Sequence, residues 1–118
     1  MRIREFEPSD LPAAHSLIQR TIDACYPSAY PPRAVAYFKE FHSLDAILDR
    51  ASVGRVVVAE RNGAIVATGA LVAHEITGVF VAPECQGEGL GSLIMDDLER
   101  AAARAVRRFP APFAGSLP

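Results

Sequence analysis

The spacing of apolar residues in the first half of the chain predicts one strand and three helices. Arg2 to Glu7 alternates as a short strand does. A helix capped by Ser9 or Asp10, with Pro12 in its first turn, should follow. Its apolar stripe comprises Leu11, Ala14, Ile18 and Ile22.

The next two helices are predicted from their starting residues. Pro32 can open a second helix, because proline suits the first helical turn. Ser43 is expected to cap a third, short helix. The residues predicted to face inward from that helix are Leu44, Ile47 and Leu48.

The second half of the chain predicts an antiparallel hairpin. Val56–Ala59 and Ile65–Thr68 are short apolar runs rich in β-branched residues, and they flank Asn62-Gly63. Asn-Gly between two such runs is a strong hairpin signal. Gly69, inside the second run, suggests a bend or bulge.

A further strand and a long helix are predicted next. The strand should span about Glu75 to Val81, and the helix about residues 89 to 106. The chain is therefore predicted to form a single α+β domain, residues 1–118, with an atypical tail at 107–118 that contains Pro110 and Pro112. The helical residues predicted to be buried are Leu90, Leu93, Ile94, Leu98, Ala101, Ala102 and Ala105.

Composition narrows the possible functions. A net charge of -2 argues against nucleic acid as a partner, and an arginine cluster at 100–108 is interpreted as the solvated end of the last helix. No apolar run reaches the length of a membrane helix. Cys25 and Cys85 are expected to be free thiols in a reducing cytoplasm, and Cys85 to be a packed thiol rather than a nucleophile.

The segment Gln86-Gly87-Glu88-Gly89-Leu90-Gly91-Ser92 is the most informative part of the chain. It joins an apolar strand to the start of an amphipathic helix, where backbone N–H groups lack partners and the helix dipole favours anions. Glycine lets a phosphate approach the main chain closely. The spacing Gly-x-Gly-x-Gly fits neither the dinucleotide fingerprint nor the ATP-binding P-loop.

This segment resembles the Gln/Arg-x-x-Gly-x-Gly/Ala element of the GNAT N-acetyltransferase superfamily, with Gln86, Gly89 and Gly91 at the matching positions. The resemblance covers roughly residues 1 to 106. It implies a mixed, mostly antiparallel sheet flanked by helices, and acetyl-CoA as co-substrate. The cofactor-binding residues it implies are Val79, Phe80 and Val81 along the pantetheine arm, and Gln86, Gly87, Glu88, Gly89, Leu90, Gly91 and Ser92 around the pyrophosphate.

The resemblance also implies candidates for catalysis. Glu75, at the start of the predicted strand, is either a general base or a solvated strand-end carboxylate. Alternation sends its neighbour His74 to the other face. Gly78 is either a packing glycine or part of a β-bulge that aims a backbone N–H at the thioester oxygen.

Acceptor and metal sites are harder to predict from sequence. Tyr26 and Tyr30 lie in the loop where the family binds its acceptor, or they anchor that loop to the core. His15 and His42 have no partner at metal-ligand spacing and are interpreted as surface or half-buried residues, so no metal site is predicted.

The chain departs from the family pattern after its last helix. Relatives add a strand, a helix and a hairpin, and often a tyrosine that protonates the departing thiolate, but no tyrosine follows Tyr37 here. The prediction is an acetyl-CoA-dependent N-acetyltransferase acting on a primary amine of a small molecule or peptide. The alternative is a catalytically inactive acyl-CoA-binding or protein-interaction module. An unpaired strand edge predicts a homodimer.

Overall fold

The computed structural model describes the backbone of residues 1–108 and the side chains of residues 1–104. The predicted burial of Ala105 and the effect of Pro110 and Pro112 on the tail therefore lie outside the described residues. The helices are α1 (Leu11–Cys25), α2 (Pro32–Phe41), α3 (Leu44–Val53) and α4 (Leu90–Arg108). The strands are β1 (Arg2–Glu5), β2 (Arg55–Arg61), β3 (Ala64–Val72) and β4 (Glu75–Val81).

The four strands form one antiparallel sheet in the order β1-β2-β3-β4. Consecutive strands are neighbours in the sheet, and short turns connect β2 to β3 and β3 to β4. The hairpin prediction is confirmed: Asn62 and Gly63 both adopt positive φ, +53° and +79°, as a tight two-residue turn requires. Among the strands of residues 1–108, this order leaves β4 at one edge of the sheet.

Helices cover both faces of the sheet, which confirms the predicted α+β class. On one face α4 packs Ile94 and Leu98 against β2 and β3 residues such as Val57. On the other face Ile18 of α1 and Ile47 of α3 belong to a second cluster. Alternation along the strands accounts for the two cores, since neighbouring side chains point to opposite faces.

The caps of the first and third helices differ in kind. The Ser43 hydroxyl accepts a hydrogen bond from the Ala46 N–H at 3.2 Å, which confirms Ser43 as a cap. Asp10 occupies the cap position of α1 without a capping bond. Its carboxylate instead accepts from the Arg4 guanidinium at 2.8 and 2.9 Å. This ion pair lowers the pKa of Asp10.

Three predicted core leucines are exposed, so those predictions are wrong. Leu44, Leu48 and Leu93 are 45%, 40% and 44% exposed. In α3 only Ile47 is buried, because the helix presents a narrow face to the sheet. In α4 the buried stripe runs at four-residue intervals through Leu90, Ile94 and Leu98, and Leu93 lies beside it.

Gly69 is not a bulge, contrary to prediction. It pairs regularly with Val57 and Val79. Its role is close packing, because a Cβ at this position would lie 2.5 Å from Cγ2 of Ile94 and 3.0 Å from Cδ1 of Leu98. The absence of a side chain here lets α4 approach the sheet.

Candidate functional site

The glycine turn, defined as residues 86–92, connects β4 to α4 through a short 3₁₀ helix at Pro83–Cys85. Gly87 and Gly89 have φ of +85° and +84°, a conformation that other residues rarely adopt. A Cβ at either glycine would have no atom within 4 Å. The two glycines therefore leave open space over the turn as well as allowing its backbone path.

The backbone amides of this turn are unused inside the protein. Among the hydrogen bonds of the described residues, none is donated by an amide from Gln86 to Ser92, and the Leu93 N–H is the first to bond, to the Gly89 carbonyl at 3.2 Å. Such amides lie at the positive end of the α4 dipole. The turn is thus a set of donors at a helix start, open to an anion.

Two ion pairs flank the glycine turn. Arg20 of α1 donates to Glu84 at 2.7 Å, and Arg61 of β2 donates to Glu88 at 2.8 Å. The hydrogen bond from Arg20 lowers the pKa of Glu84. Both carboxylates are therefore matched by a cation, and the turn carries no uncompensated negative charge from them.

The Gln86 side chain is directed away from the open side of the turn. Its Nε2 donates to the Val81 carbonyl at 3.1 Å and lies 3.6 Å from Sγ of Cys25. Gln86 can contribute its main-chain N–H to a bound anion, while its side chain ties the turn to β4 and α1. Cys85 is 8% exposed within the core, which confirms the interpretation as a packed thiol.

The bulge predicted at Gly78 is confirmed. Gly78 pairs with Ala70 and Ile76 pairs with Leu71, so Thr77 is an extra residue in β4. A Cβ at Gly78 would lie 2.9 Å from Cε2 of Phe80. Gly78 is therefore required for close packing at the same point where the strand bulges, so the packing role and the bulge occur together.

An open groove of about 290 Å³ runs beside this bulge, and we call it the aromatic groove. Its aromatic lining consists of Tyr26, Tyr37, Phe38, Phe41, His42 and Phe80. Tyr26 and Phe38 meet edge to face at 5.2 Å between ring centroids. No carboxylate lines the groove. Its volume lies at the lower end of the range for small-molecule sites.

The two candidate acceptor tyrosines occupy different places. Tyr26 is half-buried and lines the aromatic groove, whereas Tyr30 lines a separate groove with Asp23 and Lys39. Their rings still touch, with centroids 5.4 Å apart.

Glu75 is exposed and is the first residue of β4. Ile76 packs on the α4 side of the sheet, so alternation puts Glu75 on the face that carries the aromatic groove. His74 lies in the turn before β4 rather than in the strand, because Ala73 takes a positive φ of +56° and ends β3.

A family model described as an acetyltransferase (GNAT) domain matches residues 52–113, more than half of the chain. The chain belongs to the GNAT family. The match spans the hairpin, the bulge, the glycine turn and α4. No curated protein matches the chain significantly.

Solved GNAT structures share this fold. A GCN5-related N-acetyltransferase from Rhodopseudomonas palustris is 20% identical with a TM-score of 0.79, over 88% of this chain and 66% of that one. The PaiA N-acetyltransferase from Thermoplasma acidophilum, in complex with coenzyme A, is 14% identical with a TM-score of 0.75, over 88% and 72%. A Brucella melitensis GNAT acetyltransferase in complex with acetyl-CoA is 22% identical with a TM-score of 0.67, over 92% and 80%.

This GNAT chain thus spans between 66% and 80% of the lengths of those three structures. Within residues 1–108, no helix is both long and apolar enough to cross a bilayer. In the same part of the chain, no three His, Cys, Asp or Glu side chains group as metal ligands would.

His42 is the site residue that sequence reasoning misplaced. It was expected at the surface or half-buried, but it is 5% exposed and lines the aromatic groove next to the bulge. Its ring lies edge to face with Phe80, with centroids 4.9 Å apart, and Arg50 of α3 contacts its Nδ1 at 2.9 Å. Neither neighbour is close in sequence, so no spacing pattern in the sequence could have revealed them.

The environment of His42 opposes its protonation. Burial, and secondly the charge of Arg50, lower the pKa of His42 to about 4 from an ordinary value of 6.5. Arg50 is the charged group found against the ring, and Phe41 and Phe80 supply its aromatic contacts. The imidazole is therefore neutral at pH 7.

This lowered pKa predicts a loss of stability in mild acid. Between pH 6.5 and 4 the unfolded chain binds a proton at His42 that the folded chain does not, so the free energy of unfolding should fall as the pH falls through that window. From pH 7 to 4.5 the loss should be about 2 to 3 kcal/mol. Urea denaturation across this pH range measures the loss, in the wild type and in His42→Gln. The glutamine keeps a hydrogen-bond acceptor for Arg50.

Asp10→Asn is the control for this measurement. The pKa of Asp10 is lowered from 3.8 by Arg4, so its contribution is present above that value and is lost only at lower pH. Asp10→Asn should leave the slope between pH 7 and 4.5 unchanged. A slope that His42→Gln fails to flatten would contradict the assignment to His42.

Proposed function

We propose that this chain binds acetyl-CoA and transfers its acetyl group to a primary amine of a small molecule or peptide. The observation that carries the proposal is the run of unused amides from Gln86 to Ser92 beneath two open glycines. The family match and the coenzyme A-bound relatives support an acyl-CoA-dependent acetyltransferase.

The proposed cofactor site follows the backbone from the turn along β4. The pyrophosphate is held by the main-chain N–H groups of the glycine turn, to which Glu88, Leu90 and Ser92 contribute only backbone. Phe80 is held in the core and Val79 and Val81 pack toward α4, so the free edge of β4 is a rigid backbone surface. The pantetheine arm pairs with this edge as an added strand would.

The proposed reaction takes place at the bulge. Acetyl-CoA supplies an activated acyl group, and the protein must position the amine, keep it neutral and stabilise charge on the carbonyl oxygen. The amine nitrogen bonds to the carbonyl carbon, the bond from that carbon to sulfur breaks, and the proton that the nitrogen loses is finally taken up by the leaving thiolate. Glu75, on the face of the aromatic groove, is the proposed base that accepts the proton of the amine.

The aromatic groove is the proposed acceptor site. It opens beside Gly78, and Tyr26 forms part of its lining while Tyr30 supports Tyr26 by ring contact. A groove that is lined by aromatic rings and by no carboxylate favours amines with an apolar or aromatic body over polyamines, because the extra positive charges of a polyamine need negative partners. The two free thiols fit a reducing compartment such as the cytoplasm.

Gly89→Ala tests the pyrophosphate site. The new Cβ would stand over the amides and exclude the phosphate, so the Kd for coenzyme A should rise at least about tenfold, a change of about 1.4 kcal/mol. Isothermal titration with coenzyme A measures this. In the wild type, a hundredfold excess over Kd should also stabilise the fold by about 2.7 kcal/mol.

Gly63→Ala is the matched control. Gly63 has φ of +79° and, like Gly89, has no atom near an added Cβ. Both variants should lose about 1 kcal/mol of unfolding free energy from backbone strain. Only Gly89→Ala should lose coenzyme A affinity. Wild-type affinity in Gly89→Ala would refute the site, and a wild type that binds no coenzyme A would refute the proposed function.

Glu75→Gln tests the base. Turnover at neutral pH should fall about 100-fold or more with little change in KM, because proton acceptance is lost while binding is kept. Thiol release from acetyl-CoA with a panel of aromatic and aliphatic amines measures it, with the exposed Glu99→Gln of α4 as the control. An unchanged pH–rate profile in Glu75→Gln would exclude Glu75 from this role.

The edge position of β4 predicts a dimer. In the protein without coenzyme A, the edge that the pantetheine arm would otherwise occupy invites pairing with a second copy, and Tyr37 and Phe41 nearby are 62% and 42% exposed. Light scattering at high protein concentration should give twice the chain mass of 12.7 kDa. A mass of one chain at every concentration would contradict the prediction.

A further inference from the structure

The position of His42 suggests a role that packing alone does not require. His42 caps the C-terminal end of α2, and Gln19 of α1 fixes its backbone by donating to the His42 carbonyl at 3.1 Å. An ideal Cβ on Gly78 would lie 3.1 Å from Cε1 and 3.7 Å from Nε2 of the ring. The imidazole edge therefore lies directly against the bulge.

The contact with Arg50 fixes the tautomer of this ring. Nη1 of Arg50 lies 2.9 Å from Nδ1 of His42. A guanidinium has only donors, so Nδ1 must accept, and the single proton of the neutral ring is on Nε2. Arg50 is itself held in place, since its Nη2 donates to the Phe41 carbonyl and its guanidinium lies 4.6 Å over the Phe41 ring.

The Nε2–H group is available to a ligand. Among the hydrogen bonds of the described residues, none uses Nε2 of His42. The side-chain polar atom that is fully buried without a partner in this part of the chain is Thr77 Oγ1, at the same bulge. His42 lines both the open aromatic groove and a much smaller cavity of about 20 Å³ that is also lined by Thr77 and Arg50. The donor therefore lies where the groove meets the bulge.

We propose that Nε2–H of His42 donates a hydrogen bond to the carbonyl oxygen of the acetyl thioester. This rests on the proposed function. As the amine adds to the carbonyl carbon, the oxygen gains negative charge, and a fixed donor stabilises that charge. His42 keeps its proton throughout, so it acts as a donor and neither as a base nor as an acid.

The neutral state of the ring suits this role. The lowered pKa of His42 keeps it uncharged at pH 7. Because the imidazole is neutral and acts only as a hydrogen-bond donor, it adds no positive charge to the groove in which the amine would bind. Arg50 contributes by holding the tautomer and is a positioning residue.

The test compares acetyl-CoA with S-ethyl-coenzyme A, a thioether that differs in lacking the carbonyl oxygen. In wild-type protein labelled with ¹⁵N-histidine, the Nε2–H proton should move downfield with acetyl-CoA and stay in place with the thioether. Before any ligand is added, the ¹⁵N shifts should show the proton on Nε2. A proton on Nδ1, or equal shifts with both ligands, would overturn the proposal.

Affinities of variants provide the second measurement. Wild type should bind acetyl-CoA about 3- to 10-fold more tightly than the thioether, which is the affinity ratio expected from one hydrogen bond. That ratio should fall to about 1 in His42→Phe and be partly kept in His42→Gln, whose amide can still donate. His15→Gln, a half-buried histidine on α1, should keep the full ratio.

The result separates the two proposals. Binding of coenzyme A with an unchanged ratio in His42→Phe would refute the role of His42 and leave the proposed function standing. A wild type that binds none of the three compounds would refute the proposed function and the donor with it. If His42→Phe does not fold, the spectra of the wild type decide the question alone.

Discussion

The structure depends on backbone amides that the protein leaves unused. Ordinary folds satisfy nearly every backbone N–H, and a helix start is the usual exception. Here the exception is extended, because Gly87 and Gly89 turn the chain through positive φ before α4 begins and add further donors to those of the first helical turn. The rest of the fold holds these donors in one place: Gly69 lets α4 approach the sheet, and β4 leads into the turn through a single short 3₁₀ helix.

Short-range chemistry explains which features could be predicted. Asn62-Gly63, Ser43 and the glycine turn each act through one or two residues, so the sequence predicts them directly. The bulge at Thr77–Gly78 was one of two alternatives for Gly78 that came from the family resemblance, and only the structure shows that Phe80 and His42 also require the glycine. The family resemblance was likewise carried by three residues of a short element.

Features that depend on distant contacts were missed. Leu44, Leu48 and Leu93 have the right spacing for burial, but the width of the contact between each helix and the sheet decides which apolar residues are covered. His42 stands between two helices with no periodic pattern of its own, and its partners come from α3 and β4. A pKa near 4 arises from that packing and cannot be read from composition.

The two ion pairs beside the glycine turn have a consequence for the entropy of binding. Arg20 reaches from α1 to Glu84 in the short 3₁₀ helix, and Arg61 reaches from the hairpin to Glu88, so two separate elements restrain the turn and the residues just before it. A loop that is already restrained loses less conformational freedom when an anion arrives, which favours association. Because both pairs are largely exposed, mobile ions in the solvent weaken them. Rising ionic strength should therefore loosen the loop itself, in addition to screening its attraction for a negatively charged ligand.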